Sequence, residues 1–331
     1  MTHPHLARRR AIGGLGALAL AGALGPIACA QPKPGTAAAD APRMQAREAA
    51  PGCWYVEGLA ALGSPANQNF ISNAGFVVTT AGVVVIDALG SPALAERLLA
   101  EIAKVTPQKV THVIVTHYHA DHIYGLQVFA DLGAKIIAQR AGREYLNSDT
   151  ARLRLDASRS ELAPWIDERT RLVPATEWID ARRELTVGDT KLIIEPVGPA
   201  HTKDDLVVYL PARKLLYAGD LVFRNRIPFV GEADSRSWIA SLDKLLTFGA
   251  EIIVPGHGPV STEARKDMQL TRDYLAYLRK TMGRAAQDMT PFEEAYKATD
   301  WSAFDKLPLF AAANRINAYN TYLLMEHQPD D

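Results

Sequence analysis

Residues 113–125, V-I-V-T-H-Y-H-A-D-H-I-Y-G, constrain this chain more than any other stretch. The apolar run 113–115 reads as a short buried strand, which the chain leaves through His117, His119, Asp121 and His122. Alternate side chains of an extended segment share a face, so His117 and His119 can reach one ion together. Asp121 and His122 follow as the chain turns, adding a carboxylate and a third imidazole. Neutral imidazole and carboxylate oxygen suit zinc and several other divalent metals, and this many donors exceed one ion's needs. The alternative, a polar loop with scattered histidines, is disfavoured because five of the nine histidines join one constellation.

The remaining members stand at the ends of apolar runs. His201 follows K-L-I-I-E-P-V and opens H-T-K-D-D-L-V-V. Asp220 closes K-L-L-Y-A-G-D, and His257 sits in E-I-I-V-P-G-H-G between two glycines that permit a tight turn. H-x-H-x-D-H followed by His, Asp and His, each after a strand, resembles the motif series of the metallo-β-lactamase superfamily, from about residue 54 to residue 279. The resemblance implies a four-layer αβ/βα sandwich. It implies that His117, His119 and His201 bind one metal, that Asp121, His122 and His257 bind a second, and that Asp220 bridges both. Two zinc ions per chain are expected, with iron or manganese as alternatives. In the family's chemistry a hydroxide between the ions attacks a carbonyl or phosphoryl centre while a metal steadies the oxyanion, and Asp121 shuttles the proton to the leaving group. Thr116 and Thr202 are adjacent hydroxyls with supporting roles at most.

Departures from the lactamase pattern limit how far the name carries. Lactamases with a cysteine in the second site have it where this chain has Asp220, the residue type that glyoxalase II-type thioesterases carry there. Their substrate-anchoring lysine, three residues on, is Phe223 here. Arg224 or Arg226 could replace it, each being otherwise a solvated loop charge, and the charge reading is favoured for Arg226. Tyr124 replaces a glycine usual after the metal motif, and Tyr118 is expected to point away from the ligands by alternation.

Composition narrows the rest. A charged share of 22% and a net charge of -1 give no electrostatic case for nucleic acid or anionic membrane. Arg8, Arg9 and Arg10 precede an uncharged Ala/Gly/Leu stretch, 11–28, and an A-x-A site at Ala28-Cys29-Ala30. Residues 1–30 therefore read as an export signal resembling the twin-arginine type, with a periplasmic destination and no stable membrane insertion after cleavage. A lipoprotein anchored at Cys29 is the alternative. Cleavage leaves Cys53 as the single cysteine, so no intramolecular disulfide is expected.

Taken in order, residues 31–51 read as an Ala/Pro-rich flexible linker. Residues 69–87 read as a β-hairpin turning at Ala81-Gly82. Asp87, at its end, is either a turn-capping aspartate or a support behind the metal loop. Ser91 caps a helix with Pro92 at its first position. Residues 140–175 look polar and helical and match no motif, and Trp165 there is either a substrate contact or an anchor to the core. Strands are expected at 184–187, 191–195, 206–210 and 214–217, with Asp234 or Ser235 capping a helix through Trp238. A long helix follows His257. The superfamily domain is placed at 52–281, and 282–331 is a helical C-terminal extension packed on it, with Tyr319, Tyr322 and Leu323 on its packing face. The fold class is α/β.

The expected function is a binuclear metal-dependent hydrolase acting on a small-molecule ester, thioester, lactone or amide, β-lactams included. The alternatives are an iron-dependent persulfide oxidoreductase on the same ligands, or an accessory protein of a periplasmic sulfur-oxidation or quinoprotein system.

Overall fold

The computed structural model describes residues 41–231 and 233–328. The expected export signal, Cys29 and the expected linker as far as residue 40 lie outside them.

Two sheets carry the chain. The first runs β1 (Arg47–Ala50), β2 (Cys53–Val56), β3 (Ala74–Thr79), β4 (Gly82–Ile86), β5 (Val110–Ile114), β6 (Lys135–Gln139) and β7 (Glu177–Ile179) in that spatial order. It is antiparallel as far as β4 and parallel from β4 onwards. The second comprises β8 (Arg183–Val187), β9 (Thr190–Pro196), β10 (Leu206–Leu210), β11 (Leu215–Phe223) and β12 (Ile252–His257), with only β11 and β12 parallel.

Period-two side-chain direction sorts the residues into layers. Val84 and Ile86 face inward and meet Leu192, Ile194, Val208 and Val254 between the sheets. Val83 and Val85 face outward against Leu94 and Leu98 of α1 (Pro92–Val105) and Phe129 of α3 (Leu126–Asp131), which follows the short α2 (Ala120–Ile123). The outer face of the second sheet, through Val207 and Leu216, packs on α6 (Ser235–Leu245) and α7 (Ala264–Gln287). Between these groups lie α4 (Ala141–Leu146) and α5 (Asp149–Glu161); α8 (Phe292–Ala298) and α9 (Phe310–His327) end the chain. The result is the expected α/β sandwich with helices outside both sheets and further helices at the C-terminus. Full burial of each such aliphatic side chain contributes roughly 1.5–3 kcal/mol.

Helix starts follow the residues that can cap them. Ser91 Oγ accepts from Leu94 N at 3.3 Å with Pro92 behind it, and Asp234, not Ser235, caps α6 by accepting from Ser237 N at 3.0 Å.

Several expectations need correction. The linker stretch ends early, because Arg47–Ala50 pair with β2. Residues 69–73 are loop, with Asn69 at φ 60, so the hairpin starts at Ala74. Strand β11 runs on through Asp220 to Phe223 instead of stopping before it. On α9 the packing face is Ala313, Asn314, Asn317, Ala318, Thr321 and Met325, while Tyr319 and Leu323 are exposed. Two buried asparagines hid that face from a hydrophobic reading.

Candidate metal centre

The functional side chains converge where β4, β5, β11 and β12 end. Gly256 permits a close approach, since a Cβ there would collide with Asp220 Oδ1. Gly258, at φ 93, lets the chain turn away directly after His257.

Two groups of donors form, each close enough to hold an ion: His117, His119, His201 and Asp220, and Asp121, His122 and His257. His119 Nδ1 lies 3.0 Å from His201 Nε2. Asp220 Oδ2 is 3.3 Å from His201 Nε2 and 3.8 Å from His117 Nε2, and it also lies 3.2 Å from His257 Nε2. Asp220 Oδ1 faces His122 Nε2 at 3.2 Å. Asp121 Oδ2 completes the second group, 3.3 Å from His257 Nε2 and 3.6 Å from His122 Nε2. Asp220 therefore touches members of both groups.

Hydrogen bonds behind the rings set which nitrogen faces inward. Asp87, held at φ 61, accepts from Thr116 N and Thr116 Oγ1, both at 2.8 Å. Its Oδ2 also lies 2.9 Å from His122 Nδ1. Thr116 Oγ1, having donated its proton to Asp87, accepts from His117 Nδ1 at 3.1 Å. His257 Nδ1 donates to the Ile71 carbonyl at 2.7 Å. Three rings thus turn Nε2 toward the centre, the arrangement by which supporting hydrogen bonds orient metal ligands. Asp87 is a support for the metal loop, and not merely a turn cap.

Burial makes the site demanding. His117 Nε2, His122 Nε2 and Asp220 Oδ1 are sealed from solvent and make no hydrogen bond. Such orphans are rare in folded proteins, and divalent ions satisfy all three. Burial drives His117 well below the ordinary histidine range and takes His201 down to about 3. Burial opposes charge on His122 and His257 too, yet Asp220 and Asp121 outweigh it and raise both. Burial also works against the Asp220 carboxylate, but the imidazoles of His257 and His122 hold it well below its usual range. The donor set, neutral nitrogen plus carboxylate oxygen, fits zinc, iron or manganese. Asp121 and His119 are the half-buried members, so the centre opens to solvent on their side.

The remaining candidates separate. Tyr118 points away as expected, its ring against Trp178 and its N–H on Asp204 Oδ2 at 3.0 Å. Tyr124 is buried, its hydroxyl 3.4 Å from Ser158 Oγ. Thr202 binds Asp205 through N–H and hydroxyl, bracing the His201 turn. Arg224 pairs with Asp267 at 3.2 Å and donates to the Val260 carbonyl, and Trp165 Nε1 donates to the Pro65 carbonyl at 2.8 Å. Both proposed substrate contacts thus have polar atoms engaged within the protein. The reading of Arg226 as a solvated charge is wrong: it is buried, 3.1 Å from His257 Nδ1 and over the Phe223 ring.

Sequence reasoning missed Ser72, whose hydroxyl donates to the Asp121 carbonyl at 2.5 Å. It also missed Asn73, whose amide donates to the Pro255 and Gly258 carbonyls around His257. No spacing signals either residue. The adjacent pair Asp204-Asp205 after His201 was a usable signal.

The sequence profile of the metallo-beta-lactamase superfamily matches residues 68–257. The chain belongs to that superfamily. A linear primary-alkylsulfatase from Pseudomonas sp. is 25% identical over 250 residues, 64% of this chain and 47% of that protein. The chain thus spans about half the length of that relative. Metallo-beta-lactamase IND-1 from Chryseobacterium indologenes is 26% identical over 195 residues, 57% of this chain and 73% of its own. Among solved structures, the inverting sec-alkylsulfatase Pisa1 from Pseudomonas sp. superposes with a TM-score of 0.66 at 18% identity, over 85% of this chain and 50% of its own. A metallo-beta-lactamase from Pontibacter korlensis gives 0.56 at 22%, over 71% and 99%. At these identities the structural likeness speaks for the fold alone.

Proposed function

We propose that this superfamily member is a metal-dependent hydrolase holding two ions per chain, zinc by preference. His117, His119 and His201 would hold one, Asp121, His122 and His257 the other, and Asp220 both. The observation that carries this reading is Asp220, buried between the two donor groups with Oδ1 toward His122 and Oδ2 toward His201. Bound divalent ions would supply a water acidic enough to act near neutral pH and positive charge for the oxygen that develops charge. The protein's own part is to position and to move protons. Asp87 and Thr116 fix the His122 and His117 rings. Asp121, half-buried at the open side, is placed to accept the proton of an attacking water and return it to a leaving group.

The substrate is a small molecule with a hydrolysable ester, thioester, lactone or amide bond, and the alkylsulfatase relative adds sulfate esters. β-Lactams stay in the panel on the strength of the lactamase relatives. The site is periplasmic in this reading, supported by the export-like first thirty residues.

Elemental analysis of natively metallated protein, followed by hydrolysis assays across that panel, tests the proposal. About two zincs per chain and metal-dependent turnover are expected. One iron per chain without hydrolysis overturns it in favour of persulfide oxidation.

A further inference from the structure

Each donor group draws on both sheets, so each needs its halves held at a fixed separation. His117, His119, Asp121 and His122 follow β5 of the first sheet, whereas His201 precedes β10 and His257 ends β12 of the second. Two sets of hydrogen bonds cross between the halves. In one, Leu206 N donates to the Thr116 carbonyl at 2.9 Å and Tyr118 N to Asp204 Oδ2 at 3.0 Å. Thr116 and Tyr118 flank His117, and Asp204 and Leu206 lie just after His201, so this set spans the group of His117, His119 and His201.

The other set comes from residues 71–73, directly before β3. The Ile71 carbonyl accepts from His257 Nδ1 at 2.7 Å. Ser72 Oγ donates to the Asp121 carbonyl at 2.5 Å, and that carbonyl belongs to the peptide joining Asp121 to His122. Asn73 reaches the end of β12. Its backbone N–H donates to the Gly256 carbonyl at 2.8 Å, and its Nδ2 donates to the Pro255 and Gly258 carbonyls at 2.8 and 2.7 Å. One three-residue segment thus grips the chain at all three members of the second group.

Ser72 is fully buried and Asn73 nearly so, and Asn73 Oδ1 accepts from Gly58 N at 3.0 Å, so both ends of its amide are engaged. A buried polar side chain with its bonds made is stiff, because shifting it strands a carbonyl or an N–H away from water. Among the described residues, none of the hydrogen bonds made by residues 71–73 reaches His117, His119 or His201.

We propose that residues 71–73 are a brace that sets the affinity of the Asp121, His122 and His257 group alone, with Ser72 and Asn73 as its positioning residues, while the bonds of Asp204 and Leu206 set that of the other group. The inference rests on the two-ion reading above. Supporting bonds of this kind are worth about 10- to 100-fold in metal affinity. Separate braces make the two ions separately removable: a change at Ser72 releases one, and a change at Asp204 the other.

The test is zinc titration against a competing chelator on wild type, Ser72→Ala and Asp204→Ala, with crystals grown at one zinc per chain to locate the ion. In Ser72→Ala one zinc should bind at least about tenfold more weakly than in wild type and the other within about twofold. Its single zinc should then sit at His117, His119 and His201. Asp204→Ala should show the reverse, with its single zinc at Asp121, His122 and His257. Variants that weaken both zincs alike, or that keep the single zinc at the opposite group, overturn the proposal, as does a Ser72→Ala protein that binds both zincs as wild type does. Wild type that takes up fewer than two zincs sinks the two-ion reading itself, and the inference falls with it. Should either variant not fold, hydrogen exchange in wild type decides. Residues 71–73 and 204–206 should gain protection at different zinc ratios, and a gain at the same ratio, or none, overturns the proposal.

Discussion

Asp87 Oδ2 lies 2.9 Å from His122 Nδ1, and the same carboxylate accepts two hydrogen bonds from Thr116. One residue at the end of β4 thus orients His122 directly and His117 through Thr116 Oγ1, 3.1 Å from its Nδ1. Asp87→Asn keeps a residue type that tolerates φ 61 but weakens this hold. Metal affinity at the His122 group should fall about 10- to 100-fold. Zinc titration against a competing chelator measures it, and wild-type affinity at both positions would refute the role.

Metal uptake should be proton-coupled. His122 and His257 are raised because Asp220 and its neighbours favour their charged forms over the cost of burial. In metal-free protein those charged rings add stability below their ordinary pKa, and the contribution is lost as pH rises through the raised values. Ions need the neutral rings, so zinc affinity should climb about tenfold per pH unit for each proton displaced. Calorimetry in two buffers of different ionisation enthalpy reads the proton release, and buffer-independent heats would count against it.

Asp121→Asn separates binding from proton transfer. The ion at His117, His119 and His201 should persist, because that group does not include Asp121. Turnover of the best panel substrate should drop about 100- to 10,000-fold. Elemental analysis beside kinetics distinguishes the two effects, and unchanged kcat would remove Asp121 from the proton path.

Asp204 gives a pH signature of its own. Burial pushes its carboxyl up to about 6 while it accepts the Tyr118 N–H. A raised acid costs stability once the folded group ionises. The cost is present in full above about pH 6 and shrinks as pH falls towards the ordinary aspartate value. Asp204→Asn keeps an acceptor oxygen and should stabilise the fold by on the order of 2–3 kcal/mol at pH 8, with little gain at pH 4. Urea melts at both pH values check it.

Local chemistry was legible in the sequence, and tertiary burial was not. The candidate ligands stood out because His117, His119, Asp121 and His122 are neighbours in the chain, and His201, Asp220 and His257 each interrupt or end an apolar run. The sandwich layers were readable for the same reason, since 83–86 and 113–115 are uninterrupted apolar runs. Arg226 looked like a loop charge because the wall that buries it, Phe223 with His257, assembles only when β11 meets β12. Asn314 and Asn317 of α9 escaped because a buried polar residue carries no periodic apolar signal, only partners that folding supplies.

Those partners tie the C-terminal helices to the segment beside the site. Asn317 bonds Val230 N, the Pro228 carbonyl and, at 3.0 Å, the Tyr274 hydroxyl. Asn317→Ala strands two backbone groups that nothing else nearby satisfies, at a cost of about 2–4 kcal/mol. The loosened segment carries Arg226, whose Nη1 lies 3.1 Å from His257 Nδ1, so zinc affinity at the proposed His257 group should fall several-fold. Asn317→Asp keeps the acceptor for Val230 and should recover part of the stability. A variant that loses stability yet binds zinc as the wild type does would show that α9 supports the fold without steadying His257.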